Sequence, residues 1–173
     1  MRLLIGVIER FNLGLGWFAA LLILPLTLAT CYEVFSRYLF TAPTIWAFEL
    51  GYMLTGAYFL LGAALTLQRG EHIRIDLIYA RLPARRKALI DLICYLCFFI
   101  PFTVFIGIRL WQYMAHAYIS GEGSGQSAWN PVIWPFRVVF LVGFGALGLQ
   151  ALAEAAKCAF TLSGRPMGVY ARD

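Results

Sequence analysis

The chain is predicted to be an all-α integral membrane protein of four transmembrane helices, with an interfacial amphipathic segment between the second and third. Three observations predict it. Hydrophobic residues make up 61% of the 173 and charged ones only 13%, a balance more apolar than a soluble domain of this size carries. Four apolar runs, near 13–38, 45–68, 88–118 and 132–159, are each long enough to cross a hydrocarbon layer of ~30 Å, which takes about 20 helical residues. Six of the fourteen Lys and Arg residues fall in one stretch, 69–87, between the second and third runs.

That stretch sets the topology. Arg2 and Arg10 precede the first span, and Lys157, Arg165 and Arg172 follow the fourth. By the positive-inside rule the hinge 69–87 and both termini are expected to be cytoplasmic, around a single four-helix membrane domain covering 1–173. The net charge of +5 is then a matter of topology, and no nucleic-acid partner is expected.

The first span opens behind Arg2 and Arg10 and passes through Leu28-Ala29-Thr30-Cys31, close to a lipoprotein cleavage box. Thr30 is a poor residue before a cut and the apolar run continues through Val34 and Phe35, so the span is expected to be retained. At its outer end Glu33 and Arg37 are four apart with the acid first, the favourable order for a same-face pair. The pair reads either as an interfacial ion pair or as a contact to a partner subunit.

A short outer loop with Pro43 leads into the second span through Trp46, an interfacial anchor by type and position, and Glu49, a carboxylate one turn inside that needs a cation or water. Gly51, Gly56, Gly62, Ala63 and Ala64 supply small residues for close helix contact. In the hinge, a helical register back to Arg74 would put Ile75, Ile78, Tyr79 and Leu82 on one face and Arg74 and Arg81 on the other, an arrangement for lying at anionic phospholipid headgroups. Asp76 is a fair N-cap for it, and His72 and Asp76, four apart, are expected to share a local hydrogen bond.

The third span carries Pro101, an expected kink, and then Arg109. That arginine either snorkels among Trp111 and Tyr113 or pairs with Glu33 or Glu49. Residues 119–130 form a Gly/Ser-rich outer loop whose only charge is Glu122. In the fourth span Gly143, Gly145 and Gly148, then Ala151, Ala155 and Ala159, offer close-contact positions. The openings of the second and fourth spans, PTIWAFEL and PVIWPFRV, match at Pro, Ile, Trp and Phe. A parallel repeat would set Glu49 and Arg137 near each other at one depth.

Chemistry inside the spans is sparse. Glu33, Glu49, Arg37, Arg109 and Arg137 gather at the outer rim, and Asp91 and Glu154 lie nearer the inner ends, so no polar site is expected at mid-depth. His72 and His116 fall on opposite membrane faces, which leaves no bis-histidine haem between helices. Cys94 and Cys97 form a CxxC, but near the cytoplasmic end and in apolar surroundings that raise a thiol's pKa. All four cysteines, with Cys31 and Cys158, are expected to be small buried apolar residues. No catalytic group, metal or cofactor is expected, and the chain reads as an accessory bundle. A membrane-anchor redox subunit using haem or quinone and a homo-oligomeric channel are the alternatives.

Arg37-Tyr38, Pro43, Trp46, Glu49-Leu50, Gly62-Ala63, then Arg69-Gly70-Glu71-His72-Ile73-Arg74-Ile75-Asp76 with Leu82-Pro83, thinning to Trp129, Pro131 and Gln150, resemble the small membrane subunit, of DctQ type, of tripartite ATP-independent periplasmic (TRAP) transporters. Phe48 stands where that family often has a first acid before Glu49. The resemblance implies a non-catalytic bacterial inner-membrane subunit that scaffolds a large membrane subunit. The large subunit would move an organic acid with sodium, after delivery by a periplasmic substrate-binding protein. Glu33, Arg37, Trp46, Glu49, Arg109 and Arg137 are then candidates for the subunit interface or for locking the bundle, and Arg69, His72, Arg74, Asp76 and Arg81 for the hinge.

Overall fold

A computed structural model describes residues 2–71 and 82–163, and the hinge residues His72, Arg74, Asp76 and Arg81 lie outside that set. The described residues form α1 (Arg2–Leu21), α2 (Ile23–Leu39), α3 (Ala47–Arg69), α4 (Ala84–Cys94), α5 (Ile100–Ser120) and α6 (Trp134–Leu162). α1 and α2 make one rod and α4 and α5 another, so four apolar units of membrane-crossing length result.

The breaks in the two rods have a common cause. Pro25 has no amide to offer the Leu21 carbonyl, and just ahead of it the Leu22 amide is shared between Phe18 O and Ala19 O, 3.2 Å from each. Pro101 likewise cannot bond to Cys97. There the irregularity takes the form of a π-helical turn over Tyr95–Phe99, closed by the Ile100 amide reaching back to Tyr95 O. α3 and α5 end on Gly70 and Gly121, whose φ values of 70° and 62° fit the left-handed cap position.

The helix that opens the chain starts at Arg2, well before the apolar run at Leu13. The charges Glu9 and Arg10 and the amide of Asn12 set the expected start at Leu13, although residues 3–8 before them are as apolar as the span and continue its helix.

α3 and α6 are the central pair. α1–α2 packs on α3 and α4–α5 on α6, and α1 also reaches α6. The two rods share no packed face, so the helices form a bent row instead of a closed square. α3 and α6 run parallel, with Tyr52 edge-on to Phe136 at 6.0 Å and Gly56 beneath Phe136 and Phe140. A Cβ at Gly143 would lie 2.6 Å from Leu60 Cγ, and one at Gly16 would lie 2.4 Å from Leu65 Cδ2. Both contacts need glycine, the usual device for close helix approach where lipid offers no hydrophobic drive. Gly51, Gly62 and Gly145 face open space, so only part of the small-residue pattern serves packing.

The apolar core lies in the inner half, where Leu67, Ala88, Tyr95, Ala151, Ala155 and Cys158 meet. Ala159 is exposed; the seam passes to Cys158 because a stripe at 3.6 residues per turn alternates steps of four and three. Cys31, Cys94 and Cys97 are exposed and only Cys158 is buried. The expectation of four buried cysteines is corrected on three of them, since an apolar span in lipid has an outward face as apolar as its inward one. Phe11, Trp17, Phe18 and Phe35 on the first rod and Phe98, Phe102 and Phe105 on the second lie on such faces.

Candidate functional site

The polar groups gather in an outer rim and an inner ladder. In the rim, α2 places Glu33 and Arg37 one turn apart. The Glu33 carboxylate accepts from Arg37 Nε at 2.9 Å and from its Nη2, and also from the amide of Thr44 at 2.8 Å and the Thr44 hydroxyl. The acid therefore closes the α2–α3 loop as well as holding its arginine. Trp46 is half-buried and stacks on Tyr32, centroids 5.9 Å apart and planes 22° from parallel.

The loop between α5 and α6 is tied at both ends. Gly123 bridges Val132 in antiparallel fashion, the Gly125 amide donates to Asn130 Oδ1 at 2.8 Å, and Ser127 Oγ donates to Ile45 O at 3.1 Å. Ser124 Oγ donates to Glu49 Oε1 at 2.8 Å. Arg137 forks onto Glu122 with Nη1 to Oε2 at 2.9 Å and Nη2 to Oε1 at 3.1 Å. It also donates to Tyr113 O at 3.0 Å and lies 3.4 Å from the centre of the Tyr113 ring. These hydrogen bonds hold the Glu122 carboxyl below its ordinary range, against the opposing cost of its desolvation; the charges of Arg137 and His116 add to the lowering.

Glu49 and Arg137 thus grip the same loop without bonding to each other. Both are buried, and each retains one atom, Glu49 Oε2 and Arg137 Nε, with no hydrogen-bond partner. The register explains the separation. Tyr52 sits against Phe136 and Leu60 against Gly143, an offset of 84 or 83, whereas the repeat needs 88. Glu49 therefore lies about one turn outward of Arg137, and the equal-depth expectation fails by that turn.

The inner ladder runs between α1 and α6. Lys157 Nζ sits 2.6 Å from Glu154 Oε1 and 2.6 Å from Glu9 Oε1. Gln150 Nε2 donates to Glu154 Oε1 at 2.7 Å, and Asn12 Nδ2 donates to Gln150 Oε1 at 2.7 Å. Asn12, Gln150, Glu154 and Lys157 are all buried. The ladder has a direction: Glu154 only accepts, so Gln150 turns its amide nitrogen there and its oxygen to Asn12, leaving Asn12 Oδ1 as an unpartnered end.

Gln150 stands near the middle of α6, so the expectation of no mid-depth polar group is overturned. The signal was present as Gln150, Glu154 and Lys157 at steps of four and three, and Glu9 and Asn12 three apart. Each is a polar stripe on one helix face. Judging residues singly by distance from a span end hid it.

Arg109 pairs with neither Glu33 nor Glu49. It is exposed, with Gln112 Oε1 3.3 Å from Nη1 and the Phe105 ring centre 5.5 Å from its guanidinium carbon. Arg69 is exposed at the last turn of α3. No group of three or more His, Cys, Asp or Glu suited to a metal occurs among the described residues. What the site does chemically is brace helices and loops.

Residues 26–161 match the family described as tripartite ATP-independent periplasmic transporters, DctQ component. Over 95 residues the chain is 32% identical to the C4-dicarboxylate TRAP transporter small permease protein DctQ of Vibrio cholerae serotype O1, a match covering 55% of this chain. The chain spans 40% of the length of that curated relative. No solved structure matches the chain significantly.

Proposed function

This chain belongs to the DctQ component family of tripartite ATP-independent periplasmic transporters and is a multi-pass protein of the bacterial inner membrane, and from that premise we propose that it is the small permease subunit of such a transporter. It acts without catalysis, as a fixed scaffold for the large membrane subunit. The large subunit carries an organic acid together with sodium, and a periplasmic binding protein delivers the acid.

One observation carries this reading: the buried charges join helix to helix and loop to helix, while the apolar surface lies outward on the two outer rods. Glu9, Glu154 and Lys157 tie α1 to α6, and Glu122 and Arg137 tie the last outer loop to α6. Interior groups wired in this way hold a shape. An outward face of aromatic and aliphatic side chains suits lipid and a membrane partner alike.

Within this role Glu33, Trp46, Glu49 and Arg137 lock the outer rim, and Arg37 and Arg109 present cations on its surface. Arg69, His72, Arg74, Asp76 and Arg81 set the depth of the cytoplasmic hinge against anionic headgroups. The test is uptake in cells lacking the chromosomal copy and complemented with variants. Arg37→Ala and Asp76→Ala lower the rate of uptake and leave the ranking of competing substrates unchanged. A changed ranking would place substrate recognition in this chain and end the scaffold reading.

A further inference from the structure

The outward face of α5 carries a polarity gradient whose ligand the scaffold role does not name. Phe102, Phe105, Arg109, Gln112 and His116 follow at steps of three and four, so they form one stripe along the helix. Phe102 and Phe105 are exposed and form the apolar lower part. Arg109, Gln112 and His116 line an open groove of about 480 Å³ above them, together with Ile106, Leu110 and Tyr113.

Arg109 differs from the other two outer-rim arginines. Arg37 and Arg137 each hold a carboxylate, Glu33 and Glu122. Arg109 has only the Gln112 amide oxygen at 3.3 Å and the Phe105 ring, and among the described residues no acid lies within ion-pair reach. A guanidinium on an apolar helix face is satisfied by reaching the headgroup layer, where it meets water or an anion from outside the chain.

The level of the groove identifies that anion. Trp111, Tyr113 and Tyr118 are exposed on the same helix and mark the aromatic belt where headgroups begin. Along the axis Arg109 lies about 3 Å inward of Trp111, a step that an arginine bridges by snorkelling. His116, at the top of the groove, is near Glu122, but both oxygens of that acid are already held by Arg137. The carboxylate therefore does not fill the groove.

We propose that this groove binds a phospholipid of the periplasmic leaflet, with the headgroup phosphodiester on Arg109, Gln112 and His116 and an acyl chain along Phe105 and Phe102. Aromatic side chains below and hydrogen-bond donors above match the order of tail and headgroup in such a molecule, and a guanidinium is suited to two phosphate oxygens at once.

The test is native mass spectrometry of the full chain, purified in a mild detergent, delipidated and titrated with phosphatidylglycerol. The proposal expects a discrete one-lipid adduct that Arg109→Gln weakens about tenfold, the scale of one charge-assisted contact. Arg109→Glu abolishes the adduct, and Arg10→Gln, at an exposed cation near the other end of the protein, leaves it unchanged. Millimolar inorganic phosphate does not displace the lipid. Equal adducts in the wild type and both Arg109 variants, or an equal loss in Arg10→Gln, would overturn the proposal. Displacement by inorganic phosphate would show a free-anion site and overturn it too. So would an Arg109→Gln variant that keeps its lipid but no longer copurifies with a membrane partner, since Arg109 would then serve an acid on that partner.

Discussion

The two ends of the bundle are held by opposite kinds of bond. At the inner end, two helices far apart in sequence are joined by a buried chain of charges and amides, Glu9, Lys157, Glu154, Gln150 and Asn12. At the outer end, loops are tied down to helices, through Thr44 on Glu33 and Glu122 on Arg137 in adjoining elements and through Ser124 across to Glu49 of α3. A buried charge that loses its partner has no water to turn to, whereas Arg37 and Glu122 at the rim are partly solvated; Glu49 and Arg137 are the buried exceptions there. The inner ladder is therefore the rigid element and the rim the adjustable one.

The largest effect expected breaks the inner end. Lys157→Met leaves Glu154 and Glu9 without their shared cation and should cost about 3–5 kcal/mol, read as a fall in the thermal midpoint of the purified chain. Adding Glu154→Gln should recover part of that loss. A cost below about 1 kcal/mol, the scale of a solvated pair, would put the ladder in water and remove the contrast between the ends.

Next is the contact between the central helices. Gly143→Leu overfills the space against Leu60 and should cost about 1–3 kcal/mol. Gly145→Leu, two residues on and facing open space, should stay within about 0.5 kcal/mol. Equal losses at both positions would point to helix flexibility, not to the α3–α6 approach.

The outer end should respond to pH. The folded-state pKa of Glu122 is depressed below the carboxylate value of 4.5. Its contribution is then fully present above that value and is lost as pH falls through the lower folded-state value. Hydrogen exchange in the loop 121–133, corrected for intrinsic rates, should rise on acidification in the wild type. In Glu122→Gln it should be faster from the start and should not respond to acid over that range. A loop equally protected in both would show that its backbone ties suffice without the ion pair.

The smallest stability effect is expected at Arg37. Its side chain is 55% exposed and Glu33 keeps Thr44 without it, so Arg37→Ala should leave the thermal midpoint of the purified chain close to that of the wild type. A fall in uptake with so small a change in stability would mark Arg37 as an interface residue; a larger loss of stability would make it part of the lock.

Much of the fold was legible because hydrocarbon length and hydropathy dictate it. The four spans and the irregularity at Pro101 follow from the sequence. The Glu33 and Arg37 contact was legible too, because spacing of four on one helix needs no tertiary knowledge. The inner ladder was not, since Asn12 meets Gln150 only through the docking of α1 across to α6. Burial of the cysteines was misread for the converse reason: composition alone does not distinguish a helix face turned to lipid from one turned to protein. Glu49 and Arg137 show the same limit, because a matching motif fixes residue types but not the one-turn offset at which two helices pack.

The measurement that tests the account most directly is coexpression of this chain, tagged, with the large membrane subunit of its own transporter, followed by purification in mild detergent through that tag alone. A stoichiometric large subunit in the eluate is the predicted result, and it should be reduced by Lys157→Met, which breaks the inner lock. A wild-type chain that elutes alone and well folded would contradict the scaffold account. A Soret band in that eluate would point to a haem-bearing redox subunit in its place.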